Sequence, residues 1–335
     1  MADSSTLPRA HAWNILGHDW AVDMLRRHIA TGEARHAYLF AGPPGLGRRS
    51  LALAFARALN CANPPAPGEF CGTCRDCKQI AAMAHPDLAV VQAESEGGIL
   101  KVDQVREVRR TVSLKPYQSK YRLALFLRFQ EANDNAANAL LKTLEDAPAH
   151  VILLLTADNP EALLPTIVSR CEVLRLRPLP LEHVQRELEN RGMESGQAEL
   201  IARVSGGRPG YAFRLAEDKT LLEFRRQKLD DLQKLISASR VEKFAYAEKL
   251  AKEKDVMRQT LLVWESFWRD VLLCAAKTES ALANVDRAGE IESLANRLDL
   301  PAARGRVNDV GRALRQMERN VNARLLAEVL LLGWK

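Results

Sequence analysis

The stretch from Ala41 to Ser50, Ala-Gly-Pro-Pro-Gly-Leu-Gly-Arg-Arg-Ser, constrains the fold more than any other part of the chain. Its spacing follows the phosphate-binding pattern G-x-x-x-x-G-K-[S/T], with Gly42 and Gly47 at the two fixed glycines and Gly45 between them. Tyr38-Leu39-Phe40-Ala41 reads as a short buried strand running into the loop, and Ser50 to Leu59 as the helix leaving it. The chemistry, however, is altered. Arg48 stands at the lysine position, so a planar fork replaces a compact point charge on the phosphates. Arg49 puts a cation where a hydroxyl would hold Mg²⁺. Ser50 cannot substitute, because one residue along a helix is a turn of about 100°. The pattern predicts a nucleotide-binding architecture with damaged hydrolysis. A nucleotide held by Gly42, Gly45, Gly47, Arg48, Arg49 and Ser50 is expected to stay without efficient turnover; the alternative is a glycine-rich turn with two exposed arginines and no ligand.

Further short apolar runs follow at Leu88–Val91, Arg122–Leu127, Val151–Leu155 and Cys171–Leu176. Helical patterns separate them, including Trp20–Ile29, a helix capped by Asp103 and running to about Ser113, and one opened by Asn133-Asp134 and running through Glu145. Buried strands alternating with helices imply an α/β domain with a parallel sheet covered on both faces. The alternation stops at Pro178-Leu179-Pro180. Residues 181–216 read as short helices broken at Gly192, Gly196 and Gly206-Gly207, and residues 219–335 as longer ones, of which Leu261, Leu262, Trp264, Phe267, Trp268 and Leu272 mark a strongly apolar example. The expected organisation is a disordered N-terminus at 1–12, an α/β domain at 13–178 with an insertion at 61–77, a small helical domain at 179–218 and a larger helical domain at 219–335.

The insertion carries Cys61, Cys71, Cys74 and Cys77, spaced C-x9-C-x2-C-x2-C. The chain has no run of the ~20 apolar residues that a membrane span needs, and residues 1–12 lack the apolar core of a signal peptide. A cytoplasmic protein is expected, and there four clustered thiols point to metal rather than disulfides. Four thiolates suit a closed, structural, tetrahedral Zn²⁺ site. An iron–sulfur cluster is the first rival, since Cys71 to Cys77 is spaced like part of a ferredoxin run, and four free thiols are the plain alternative. Arg75 and Lys78 lie close enough in sequence to soften the charge of a zinc–thiolate centre. Cys171 and Cys274 stand apart from the cluster.

An ATPase built this way needs acids at the end of a buried strand to hold Mg²⁺ and orient water. Leu127 and Arg128 occupy those places, and Glu131 comes late. The P-loop and this strand thus agree against self-catalysed hydrolysis. Net charge is +6, and the last 35 residues contribute +4, seven Lys/Arg against three Asp/Glu. Such a balance permits nucleic-acid partners without requiring them. Arg106, Arg109 and Arg110 fall on one helix at i, i+3 and i+4, a spacing that can meet phosphates or simply face solvent.

Several stretches then converge: His36 to Gly42, the cysteine module, His85-Pro86-Asp87, Val102 to Arg106, Ala137 to Glu145, and above all Ser169-Arg170-Cys171. Over residues 13–178 the chain resembles the delta-prime family of bacterial DNA polymerase III clamp-loader subunits, within the AAA+ superfamily. Gly206 to Gly210 looks like the end of that family's lid domain, and the C-terminal helices match its collar in length and all-α character. The resemblance implies a five-subunit ring in which gamma or tau subunits bind and hydrolyse ATP, with delta as a further neighbour. Delta-prime would supply Arg170, beside Ser169, as an arginine finger in trans. The ring would place the sliding clamp on primed DNA. Arginine fingers are worth about 10³–10⁵ in rate, roughly 4–7 kcal/mol, in GTPases. Without the resemblance, a salt bridge at the sheet edge accounts for Arg170. The departures at Arg48, Arg49, Leu127 and Arg128 count against a gamma or tau assignment. Two other readings are a weak ATPase motor and a zinc-bearing DNA-binding module.

Overall fold

Uninterrupted apolar runs become strands where each residue can bury on one of two faces. The computed structural model describes residues 13–95, 97–317 and 321–334, so the disorder expected at 1–12 lies outside the described residues. Five parallel strands form one sheet: β1 (Ala37–Ala41), β2 (Leu88–Val91), β3 (Arg122–Phe126), β4 (Val151–Ala157) and β5 (Glu172–Arg175), in the order β2-β3-β4-β1-β5. The pleat sends alternate residues to opposite faces. Tyr38 and Phe40 of β1 join Ile152 and Leu154 of β4 in one core, while Ala37, Leu39 and Ala41 join Leu153 and Leu155 in the other. Helices α1 (Asp19–Ala30), α2 (Arg48–Asn60) and α3 (Arg75–Ala81) contribute to the first core. Helices α4 (Val102–Val112), α5 (Asp134–Glu145) and α6 (Pro165–Val168) cover the second. This is the sheet with two covered faces that the strand pattern implies.

Several boundaries differ from expectation for local reasons. Helix α2 begins at Arg48 rather than Ser50, because Gly47 takes the left-handed cap (φ 88°) and its carbonyl accepts from the Leu51 amide at 2.8 Å. Helix α4 begins at Val102, so Asp103 is a first-turn residue and not the cap; Gln104 Oε1 instead accepts the Lys101 amide at 2.9 Å. Asn133 does cap α5, accepting from the Ala136 amide at 2.8 Å.

The chain divides into two compact units, Met1–Leu179 and Pro180–Lys335. In the second, all described regular elements are helical. Helices α7 (Leu181–Asn190), α8 (Ser195–Ser205) and α9 (Pro209–Glu217) bury Val184, Leu188, Ile201, Ala202 and Leu215. Gly206 ends α8 in the left-handed region. Gly196 breaks nothing: it lies in the first turn of α8, where Glu194 accepts its amide and that of Gln197, both at 3.0 Å. A separate core spans α10 (Lys219–Ser237), α11 (Arg240–Leu250), α12 (Lys254–Ala275), α13 (Ala288–Arg297), α14 (Leu300–Met317) and α15 (Ala323–Leu332). Trp264, Trp268 and Trp334 meet at its centre, with Trp334 ring centroids 5.1 and 5.8 Å from the other two. Of the apolar helix foreseen in the sequence, Leu261, Trp264, Phe267 and Trp268 are buried, whereas Leu262 is exposed. Among the described residues no helix is long and apolar enough to cross a membrane.

Candidate functional sites on the α/β unit

The altered phosphate loop leaves the sheet at β1, between β4 and β5. Its first glycine is sterically required: Gly42 has φ 150°, and a Cβ there would sit 2.6 Å from the Leu176 carbonyl oxygen. Gly45 and Gly47 also take positive φ, at 89° and 88°. The two arginines then part company. Arg48 turns inward and is 8% exposed, while Arg49 and Ser50 face solvent. The expectation of two exposed arginines therefore fails for Arg48. Its Nη1 lies 2.8 Å from Asp158 Oδ1, just past the end of β4. Neither atom meets hydrogen-bond alignment there, so the contact is an ion pair without a directed hydrogen bond. The cation at the lysine position thus has a carboxylate of its own chain beside it. A depression lined by His18, Trp20, Arg175, Arg177, Pro178 and Leu179 lies in the same unit, and its lining residues Arg175 and Arg177 flank the Leu176 that touches Gly42. No local spacing signals it, because its sides come from opposite ends of the α/β unit.

At the end of β3, Leu127 is buried and Arg128 adopts φ 50°. The Arg128 amide donates to Thr156 Oγ1 at 2.9 Å, and its Nε donates to Glu131 Oε1 at 2.8 Å. The same oxygen accepts the Gly97 amide at 2.8 Å. Glu131 is thereby committed to a local turn.

Arg170 follows α6 and precedes β5. Glu172 pairs with Tyr38 in the sheet register, so Arg170 is level with the start of β1, whereas Gly42 lies past its end. At ~3.3 Å per residue Glu172 is about 13 Å from Gly42 along the strand direction, and Arg170 precedes it in the turn after α6. Arg170 is thus at the opposite end of the strands from its own phosphate loop. Its Nη2 donates to Glu145 Oε1 at 2.7 Å and its Nη1 to the Thr166 carbonyl at 2.9 Å. The sheet-edge salt bridge foreseen as the plain account is thus present. The pair is exposed, 36% and 50% by side chain, and such pairs are worth about 0–1 kcal/mol. Ser169 Oγ donates to the Thr166 carbonyl at 3.2 Å.

The fold brings the four insertion cysteines together, with their Sγ atoms all within 4.8 Å of one another and Cys61 to Cys71 at 3.6 Å. A tetrahedral site with Zn–S bonds of about 2.3 Å has edges near ~3.8 Å, so the four sulfurs suit one metal ion. Amides already point at the sulfurs: Cys71 N–H donates to Cys61 Sγ at 3.3 Å, Cys74 N–H to Cys71 Sγ at 3.2 Å, and Cys77 N–H to Cys74 Sγ at 3.4 Å. The Cys74 amide, followed by the Thr73 hydroxyl and amide, pulls the Cys71 thiol down to about 6. Burial pushes Cys77 up, so its thiolate needs a cation beside it. Arg57 of α2 is one such cation. Burial lowers its own pKa, and attraction to Cys77 offsets part of that; its guanidinium also stacks 4.0 Å from the Phe70 ring centre. Arg75 and Lys78, close to the cysteines in sequence, both face solvent. Cys171 lies apart, and burial pushes it up to about 12. On α4, Arg106, Arg109 and Arg110 are exposed, with Arg106 3.4 Å from Asp103 and Arg110 3.6 Å from Glu107.

A parallel sheet wound with helices around an altered phosphate loop, joined in sequence to an all-helical unit, defines a P-loop-type α/β protein with a helical C-terminal part. Residues 17–180 match the family described as DNA polymerase III, delta subunit, and residues 219–335 match DNA polymerase III, delta subunit, C terminal. The chain is 40% identical over 206 residues to DNA polymerase III subunit delta' of Pseudomonas aeruginosa, covering 60% of this chain and 61% of that one. It is 28% identical over 313 residues to subunit delta' of Bacillus subtilis, covering 92% and 93%. A gamma/tau subunit of Mycobacterium bovis is 36% identical over 58% of this chain and 34% of its own length. The chain thus spans less than two thirds of the Pseudomonas and Mycobacterium relatives. Among solved structures it is similar to a DNA polymerase III gamma subunit-related protein of Thermotoga maritima, with TM-score 0.44 and 16% identity over 93% of this chain and 98% of that one. The two family matches together cover most of the chain, which belongs to the DNA polymerase III delta-subunit family that they describe.

Proposed function

We propose that this chain is a non-hydrolysing clamp-loader subunit, which joins gamma or tau and delta in a ring and offers Arg170 to a neighbouring motor subunit's ATP site. The ring would place the sliding clamp on primed DNA. The observation that carries this reading is the position of Arg170 at the end of the strands opposite its own phosphate loop. From there it cannot serve a nucleotide bound by Gly42 to Ser50, yet its exposed pairing with Glu145 costs little to break. A guanidinium moved onto a neighbour's γ-phosphate stabilises the charge that spreads over the transferring group.

The loop and β3 support the passive half of the reading. Arg48 faces Asp158, Arg49 offers no Mg²⁺ ligand, and Glu131 is held by Arg128. A weak motor would need all three rebuilt. A separate zinc-bearing DNA-binding module is less well supported, since Arg106 and Arg110 have acidic neighbours on their own helix. Within the proposal, 13–178 is the AAA+ domain, 179–218 the lid and 219–335 the collar. Cys61, Cys71, Cys74 and Cys77 would hold a structural Zn²⁺, which neutralises thiolates and staples the insertion without taking part in chemistry.

Mixing the purified chain with gamma or tau subunits tests the reading. The chain alone should show no Mg²⁺-dependent ATP turnover, and its addition should raise turnover by the motors when clamp and primed DNA are present. Turnover by the chain alone would favour the motor reading instead.

A further inference from the structure

The loop from Leu114 to Lys120, between α4 and β3, presents two exposed large side chains, Leu114 at 60% and Tyr117 at 80%. Its start is held by His150 Nε2, 3.2 Å from the Leu114 carbonyl, and by Arg122 Nη1, which donates to the Lys115 carbonyl at 3.3 Å, and residues 117–119 are tied down at two further points. The first is Asp87, just before β2, which is wholly buried. It accepts the Tyr117, Gln118 and Ser119 amides at 2.6, 2.9 and 3.0 Å, and Arg122 Nη1 at 3.3 Å. The second tie runs to the cysteine module. Gln118 Nε2 donates to Asp76 Oδ1 at 3.0 Å. His85 Nδ1 accepts the Asp87 amide at 3.0 Å, which leaves its Nε2 to face Asp76 Oδ1 at 3.2 Å and Ser119 Oγ at 3.3 Å.

Asp76 lies between Cys74 and Cys77 in α3. That helix has only seven residues, and Cys74 Sγ caps it by accepting the Cys77 amide. The direction of Asp76 is therefore set by the same residues that gather the sulfurs. An isolated helix this short does not hold itself in water.

We propose that the four-cysteine module is a metal-dependent clasp for the 114–120 loop, acting through Asp76 on Gln118 and His85. With metal bound, α3 is fixed, Asp76 meets the loop, and Leu114 and Tyr117 are held in one displayed arrangement. Without it, α3 loses its closure and residues 117–119 keep Asp87 and the His85 contacts but not the Asp76 link. The proposal rests on the metal reading of the four cysteines but is independent of the clamp-loading role.

The test is hydrogen–deuterium exchange at the Tyr117, Gln118 and Ser119 amides of the full chain, with metal content measured alongside. In metal-loaded wild type, chelation should speed exchange there by about tenfold, the equivalent of ~1.4 kcal/mol. Asp76→Ala should produce a similar acceleration with metal still bound, and chelation should then add little. Gln118→Ala breaks the same link from the loop side without touching α3, so it reads the coupling even where Asp76→Ala loses metal. Exchange within twofold of wild type in metal-loaded Gln118→Ala, or chelation effects that simply add to it, would overturn the clasp. A purified chain that takes up no metal would overturn the metal reading and the clasp with it.

Discussion

Arg48 and Asp158 face each other at 2.8 Å across the mouth of the altered phosphate loop, one from the first turn of α2 and the other from the end of β4. A P-loop normally presents a cation to an anionic ligand, whereas here the chain supplies an anion itself. Asp158 is 40% exposed by side chain, so solvent screens the pair and its contribution is modest. Arg48→Ala should cost about 1–2 kcal/mol, measured as a lower urea midpoint, because it also removes a buried aliphatic stem. It should not create ATP turnover. An unchanged midpoint would show that the pair does not stabilise the fold.

Gly42 should tolerate no side chain. A Cβ would lie 2.6 Å from a backbone oxygen, which cannot swing aside as a flexible side chain can. Gly42→Ala should destabilise the α/β unit by about 2–4 kcal/mol, seen in thermal or urea unfolding. Gly47→Ala has open space around its new methyl and only the left-handed backbone to oppose it, so its cost should be nearer ~1 kcal/mol.

Much of this unit was legible in the sequence, and the failures share a cause. The strands at 38–41, 88–91 and 151–155 are apolar on both faces, so their own composition signals them. The start of α2 at Arg48 is set by the left-handed Gly47 cap, and the inward turn of Arg48 by Asp158, 110 positions away and invisible in the local pattern. Arg57 was missed beside the cysteines because α2 brings it there from outside the motif. The Asp76, His85 and Asp87 connection was equally hidden. Its residue types are ordinary, and the loop they hold arrives from beyond α4. Glu131 offered a carboxylate in roughly the right region, but its partner Arg128 decides its role.

Asp87 should impose an acid limit on stability. Burial raises its pKa, but the three loop amides outweigh this and hold the carboxyl below its ordinary value; His85 and Arg122 are the charged or titratable groups facing it. With the folded pKa below the unfolded one of about 3.9, the stabilisation is present above the unfolded pKa and is lost as pH falls through the folded one. Urea unfolding between pH 6 and pH 3 should show stability dropping toward the acid end. Asp87→Asn should lower stability at pH 6 and flatten that drop. A variant with the wild-type slope would remove Asp87 from the account.

The cysteine module should carry one zinc ion per chain by elemental analysis. Cys77→Ser should lose it and lower the thermal midpoint of the α/β unit, since Cys77 is the buried ligand. Cys171→Ser and Cys274→Ser should retain the full metal content. A colourless protein is expected, whereas iron–sulfur absorption would replace zinc with the ferredoxin-like alternative.

The most direct measurement compares ATP turnover by motor subunits assembled with wild-type, Arg170→Ala or Glu145→Ala chain, on primed DNA with clamp, after assembly is verified for each. The account predicts that Arg170→Ala lowers turnover at the adjoining motor site by about a thousandfold, seen as loss of that site's share of the total. Glu145→Ala, which only frees Arg170 from its exposed partner, should leave turnover intact. Undiminished turnover in a fully assembled Arg170→Ala ring would contradict the finger, and Arg170 would then be the sheet-edge salt bridge alone.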